Sequence, residues 1–162
     1  PFELIVVVPT LLHPVIMVSA DQVAAIKASW PALSAGDGGA QVGLDMFIKY
    51  FTDHPEMKAV FGYSEDIAAL KSNAKLAGHG KKVMEQIGTA VAEIDDLGKM
   101  TATLKALGVR HKGFGDIKAE YFPVLGVSLI HVMEKKLPGL DKGAWNAAYK
   151  AISDAIISGI QS

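Results

Sequence analysis

The chain has 162 residues, half of them hydrophobic and a fifth charged, a balance that suits one globular domain with a sizeable core. Its formal net charge of −1 gives no bulk attraction to nucleic acid or to an anionic membrane. It has no cysteine, which excludes disulfides, thiolate zinc sites, iron–sulfur clusters and a cysteine nucleophile.

Residues 1–18 do not share the helical patterning of the remaining chain and read as a leader, upstream-translated or added, ahead of one domain spanning 19–162. Pro9 and Pro14 interrupt their apolar run before it reaches membrane length. The missing basic region makes a poor signal peptide, although Val18-Ser19-Ala20 has the form of a cleavage site and Met17 that of a natural start.

Ser19 with Gln22 three residues on forms a capping-box pattern that predicts a first helix, with Val23, Ile26, Trp30 and Leu33 on one face. Pro31 is expected to kink or end it. The cluster Ser34 to Gly39 is a turn, and no Gly-Lys-Ser/Thr comes after it to make it a phosphate loop. A second helix is predicted from Ala40 to Thr52, carrying Val42, Met46, Phe47, Tyr50 and Phe51. Pro55 breaks it and suits the first turn of a short helix ending at Val60-Phe61-Gly62, with Ser64 the candidate cap of the next helix.

The longest periodic segment runs from Glu65 to Ile94 and is expected to form one helix, with His79 and Val83 four apart on a shared face. After Asp95 to Gly98, the next helix places Met100, Leu104, Leu107 and His111 on one stripe, apolar until its last member. Lys112-Gly113-Phe114-Gly115 should end it just past His111. A further helix is predicted through Ile117, Tyr121, Val124, Leu125, Ser128 and Val132, distorted early by Pro123. The last runs through Trp145, Tyr149, Ile152, Ile156 and Ile160, capped by Asp141. No hairpin signal occurs after residue 17, so the expected fold is all-α: six main helices and short ones around one core.

His79 and His111 lie on successive helices that can fold back to present both imidazoles to one cavity. Phe47, Phe61, Val83, Leu104, Leu107 and Ile117 are the bulky apolar residues available to line it. Taken alone, the residues leave open a plain helical core that contains two histidines. A closed zinc site is short of ligands, and there is no Glu-x-x-His pair of the di-iron bundle type.

An ordered set of residues carries more. Trp30, Gly43, Pro55, Phe61, His79-Gly-Lys-Lys-Val83, Leu107-x-x-x-His111 and Ile117 occur in the order and spacing of one family. From Ser19 to Ser162 the chain resembles a globin, most of all the monomeric haemoglobins of marine annelid worms. The wording Val109-Arg-His-Lys-Gly113 points to annelids.

The resemblance implies a globin fold packed around haem b, iron protoporphyrin IX, with His111 as the proximal iron ligand. The other N–H of that imidazole would go to a backbone carbonyl about one turn back, near Leu107. It implies His79 as the distal residue, donating a hydrogen bond worth about 1.5–3 kcal/mol to bound dioxygen. Val83, Phe47 and Phe61 would exclude water, with Phe47 crowding that face in favour of small ligands. Leu104, Leu107 and Ile117 would line the rest of the pocket. Lys82 and Arg110 are the candidates, by position, for the propionates, and Tyr63 for the same rim. The implied function is reversible binding of dioxygen and other small diatomic ligands for storage or transport, without enzymatic turnover. A peroxidase-like or a ligand-sensing or scavenging globin is the alternative. A cytoplasmic monomer or weak homo-oligomer is expected, with no nucleic-acid or membrane partner. His54 and His131 receive no role.

Overall fold

Five helices begin where a side chain takes an amide of the first turn that has no partner within the helix. Ser19 accepts from Gln22 N while the Gln22 side chain accepts from Ser19 N, the reciprocal box its sequence predicts. Asp66 does the same for Ala69, Asn73 for Leu76, Asp96 for Lys99 and Asp141 for Ala144, at 2.8–3.0 Å. In a computed structural model describing residues 18–115 and 117–162, eight α-helices and one 3-10 turn are found, and no strand, among the described residues. They are α1 (Ala20–Leu33), α2 (Ala40–Asp53), α3 (Met57–Val60), α4 (Ile67–Leu70), α5 (Ala74–Glu93), α6 (Leu97–His111), α7 (Tyr121–Lys136) and α8 (Lys142–Ile160). The 3-10 turn is Lys112–Phe114. Six long helices and two short ones match the all-α architecture expected.

Residues 1–17, read from sequence as most of a leader, lie outside the described residues. Val18, assigned to that leader, is buried in the core at 8 % exposure.

Two helix boundaries differ from expectation, each for a local reason. The segment from Glu65 is two helices rather than one. Lys71 to Asn73 turn out of α4, and Asn73 is more useful capping α5 than inside a helix, where its side chain competes with the backbone. Asp66, and not Ser64, caps α4. The second difference is at α7, which begins at Tyr121 instead of near Ile117. Pro123 has no N–H to give to Ala119, so the helix starts where the proline falls in its first turn and no bond is lost. Ile117 is therefore a loop residue, its N–H on the Gly115 carbonyl at 2.9 Å. Pro31, expected to kink or end α1, lies inside the helix, which runs on to Leu33.

The core is continuous across the long helices, and its largest fully buried side chains include Trp145, Tyr50, Phe47, Phe51, Ile26 and Leu33. Trp145 on α8 lies 6.1 Å from Trp30 on α1 and donates from Nε1 to the Ser29 hydroxyl at 2.9 Å, tying the first helix to the last of the eight. α2 packs on α5 and α7, and α6 packs on α8. The α2–α5 contact is a meeting of backbones: a Cβ added to Gly80 would lie 2.5 Å from the Gly43 carbonyl carbon, and one on Gly43 would overlap the Gly80 carbonyl. No rotamer relieves such a clash, because both obstructing atoms are main chain. Gly80→Ala should therefore cost about 1–3 kcal/mol, read as a lower urea midpoint of the cofactor-free protein. An unchanged midpoint would mean that the helices can part freely there.

Candidate functional site

The close α2–α5 crossing decides what faces His79. Its neighbour Gly80 rests on α2, so the imidazole is brought to 4.7 Å from the Phe47 ring, itself fully buried, and to 6.0 Å from Phe61. Phe61 comes just after α3 and packs edge-on against Phe47 at 5.6 Å and Phe51 at 5.4 Å. One aromatic wall thus backs His79. Tyr50 belongs to the same wall, and burial pushes its phenol up to about 12. Val83, one turn beyond His79, is half-buried.

The facing element is α6. Met100 and Leu104 are buried while Leu107 and His111 are half-buried, so the predicted stripe passes from core to cleft as it approaches the imidazole. His111 Nδ1 lies 2.9 Å from the Leu107 carbonyl oxygen, one turn back. A carbonyl only accepts, so Nδ1 carries the proton and Nε2 is left as the lone-pair nitrogen. Phe114 and Phe122 each stand edge-on to the His111 ring at 5.8 Å.

The two imidazoles share one electrostatic environment. Burial holds His79 below the ordinary histidine range, and the neighbouring His111, Lys82 and Lys75 lower it further. His79 is therefore neutral near pH 7, with a proton on one nitrogen and a lone pair on the other. Phe61 beside His79, Leu107 and Phe122 beside His111, and Ile67 and Val83 pack on the core yet stay only half-buried. Half-buried apolar side chains beside each histidine suit an apolar molecule.

Of the residues expected to line the site, Phe47 and Leu104 are fully buried and Phe61, Val83, Leu107 and Ile117 half-buried. Lys82 and Arg110 are exposed. Tyr63 is buried instead of reaching the rim, with Lys75 Nζ 5.5 Å from its ring centroid. Lys75, one turn before His79, escaped notice in the sequence, although its i,i+4 spacing to His79 was there to be read. Phe122 also escaped, because only the turn at Pro123 brings it to His111. His54 lies 3.6 Å from Glu56, and His131 lines a separate cleft of about 570 Å³ between α2 and α7. That cleft and another of about 270 Å³ beside Pro123 contain neither His79 nor His111.

The donor set is diagnostic. Among the described residues no group of three or more His, Cys, Asp or Glu side chains could hold a bare metal ion. One lone-pair imidazole in an apolar cleft suits a metal that arrives with its equatorial ligands already in place, as in a metalloporphyrin. The residues present therefore fit haem: His111 Nε2 has a lone pair free for its iron, and apolar side chains suit the macrocycle.

The chain is 61% identical over 144 residues to the globin, major polymeric component P1, of Glycera dibranchiata, covering 89% of this chain and 98% of that one. It is 59% identical over the same span to polymeric component P2 of that organism. These are globins of a polychaete annelid, as the resemblance implied, although their names say polymeric where monomeric haemoglobins were expected. A hexacoordinated haem protein from an anhydrobiotic tardigrade shares the fold with a TM-score of 0.81 at 19% identity, over 89% of this chain and 96% of that one. The sequence model of the globin family matches residues 44–156, from α2 into α8. The chain belongs to the globin family.

Proposed function

We propose that this globin binds iron protoporphyrin IX between α5 and α6 and uses it to bind dioxygen reversibly, for storage or transport. The observation that carries the reading is the 2.9 Å contact from His111 Nδ1 to the Leu107 carbonyl, on the wall facing a half-buried His79. The haem would supply the dioxygen-binding chemistry at its iron.

The chain's own residues supply the rest. His111 offers Nε2 as the proximal ligand, and the Leu107 carbonyl fixes its tautomer and raises its basicity. His79, neutral and packed on Phe47, keeps one N–H available on the distal side for a ligand that gathers negative charge. Phe47, Phe61 and Val83 would keep water from that side, and Leu104, Leu107 and Ile117 would line the rest of the haem pocket. Lys82 and Lys75 flank His79 at the next turns of α5, and Arg110 adjoins His111, so cations stand on both sides of the cleft for the two carboxylates. Beyond His79 no residue in the set could serve as a catalytic base, which favours carriage over turnover. The names of the Glycera relatives favour assembly with like chains over a lone monomer. Among the described residues no helix is long and apolar enough to cross a membrane.

Two substitutions test the two histidines separately. His111→Gly should lose most haem on gel filtration and regain it in millimolar imidazole; full retention without imidazole would place the ligand elsewhere. His79→Leu should speed dioxygen release about ten- to a hundredfold, the worth of one hydrogen bond to a charged acceptor, while carbon monoxide binding changes little. Equal dioxygen off-rates in the two proteins would remove the donor role, and a six-coordinate ferrous spectrum without ligand would make His79 a second axial ligand.

A further inference from the structure

Where α6 crosses α8, the two backbones touch. Gly108 and Gly159 are both buried. A Cβ on Gly108 would lie 2.9 Å from the Gly159 Cα and closer still to the Ile156 carbonyl oxygen. A Cβ on Gly159 would lie 2.9 Å from the Gly108 Cα and the Val109 nitrogen, and closer to the Lys105 carbonyl oxygen. The clash is reciprocal and every obstructing atom is main chain, so the absence of two methyl groups sets the separation of the helices. Pairs held apart by side chains sit about 8–10 Å axis to axis. Other glycines near the end of α6 are different: a Cβ on Gly113 or Gly115 would meet nothing within 4 Å.

This crossing lies one turn from His111. The imidazole is tied by Nδ1 to the carbonyl of Leu107, the residue next to Gly108, so ring and crossing ride on the same turn of backbone. At about 100° per residue, Gly108 is about 60° round the helix from His111 and Lys105 about 120°. α8 therefore bears on the flank of α6. Forcing the pair apart would slide and tilt the imidazole across the cleft instead of driving it straight in.

A second contact from α8 acts on the same ring. The Tyr149 hydroxyl donates to the Phe122 carbonyl at 2.9 Å, and Phe122 stands edge-on to His111 at 5.8 Å. The Tyr149 ring occupies the space where a side chain on Gly126 would be, which fixes α7 against α8.

We propose that α8 is the positioning element for His111, setting its lateral place through the Gly108–Gly159 backbone contact and its ring orientation through the Tyr149–Phe122 latch. The proposal rests on His111 being the iron ligand. Gly108, Gly159 and Tyr149 are positioning residues, since none touches the cofactor cleft through a reacting atom. A displaced imidazole holds the iron less well, so the iron–histidine bond and the retention of dioxygen should change together.

The experiment is resonance Raman spectroscopy of the iron–histidine stretch in the unliganded ferrous protein, with dioxygen release by stopped flow. Gly108→Ala and Gly159→Ala should both move the band to lower frequency and speed release by about tenfold, although they lie on different helices. Tyr149→Phe should move the band in the same direction by less. Gly113→Ala, whose methyl group meets open space, should leave both readings at the starting values. A loss of stability with the band unmoved in the folded glycine variants overturns the proposal. If the glycine variants fail to fold, Tyr149→Phe decides, and an unmoved band in it overturns the proposal too. Absence of any iron–histidine band in the parent protein would sink the assignment of His111 itself, a distinct outcome.

Discussion

Two helix pairs in this globin meet without side chains between them, and the cleft between His79 and His111 takes its shape from both. On one side Gly80 lies on Gly43, which seats α5 against α2 and brings His79 onto the Phe47 ring. On the other, Gly108 lies on Gly159, which seats α6 against α8 one turn before His111. Side chains can re-pack around an intruding methyl group, but two backbones cannot. The facing walls are thus fixed at their stiffest points, next to the residues whose placement matters most. Everything softer, including the half-buried Phe61, Val83 and Leu107, fills in between.

The electrostatics of the cleft come from what is kept out of it. What lowers the His79 pKa is burial, the His111 imidazole and the two lysines Lys82 and Lys75, and no carboxylate offsets them. A neutral histidine can donate a hydrogen bond without bringing a counter-charge, while the lysines stay at the exposed edge. The whole chain is close to electroneutral, so this local positive rim is a matter of arrangement along α5 and not of composition.

Much of this was open to a reader of the sequence, where the signal is local. The Ser19–Gln22 box and the Asp141 cap span only four residues each, and the stripe from Met100 to His111 needs only helical spacing. The carbonyl near Leu107 as partner for His111 comes from the same spacing once the histidine is taken as a ligand. What escaped depends on competition or on distance. Asn73 could have lain inside a long helix by periodicity, and its cap bond decided otherwise. Ile117 falls in a loop and not in a helix, because Pro123 sets the start of α7. The Phe122–His111 contact and the Gly108–Gly159 crossing join positions far apart in the chain, and no local pattern announces them. Residues 1–18 are set apart by sequence alone, and Val18 already belongs to the core.

The role of α8 has a consequence for how the protein is made. The helix comes after α6 and α7 in the chain, yet it holds both in place. At about 5–20 residues per second, the ribosome delivers α2 to α5 several seconds before it delivers α8. The wall carrying His79 can therefore form while His111 is still unsupported.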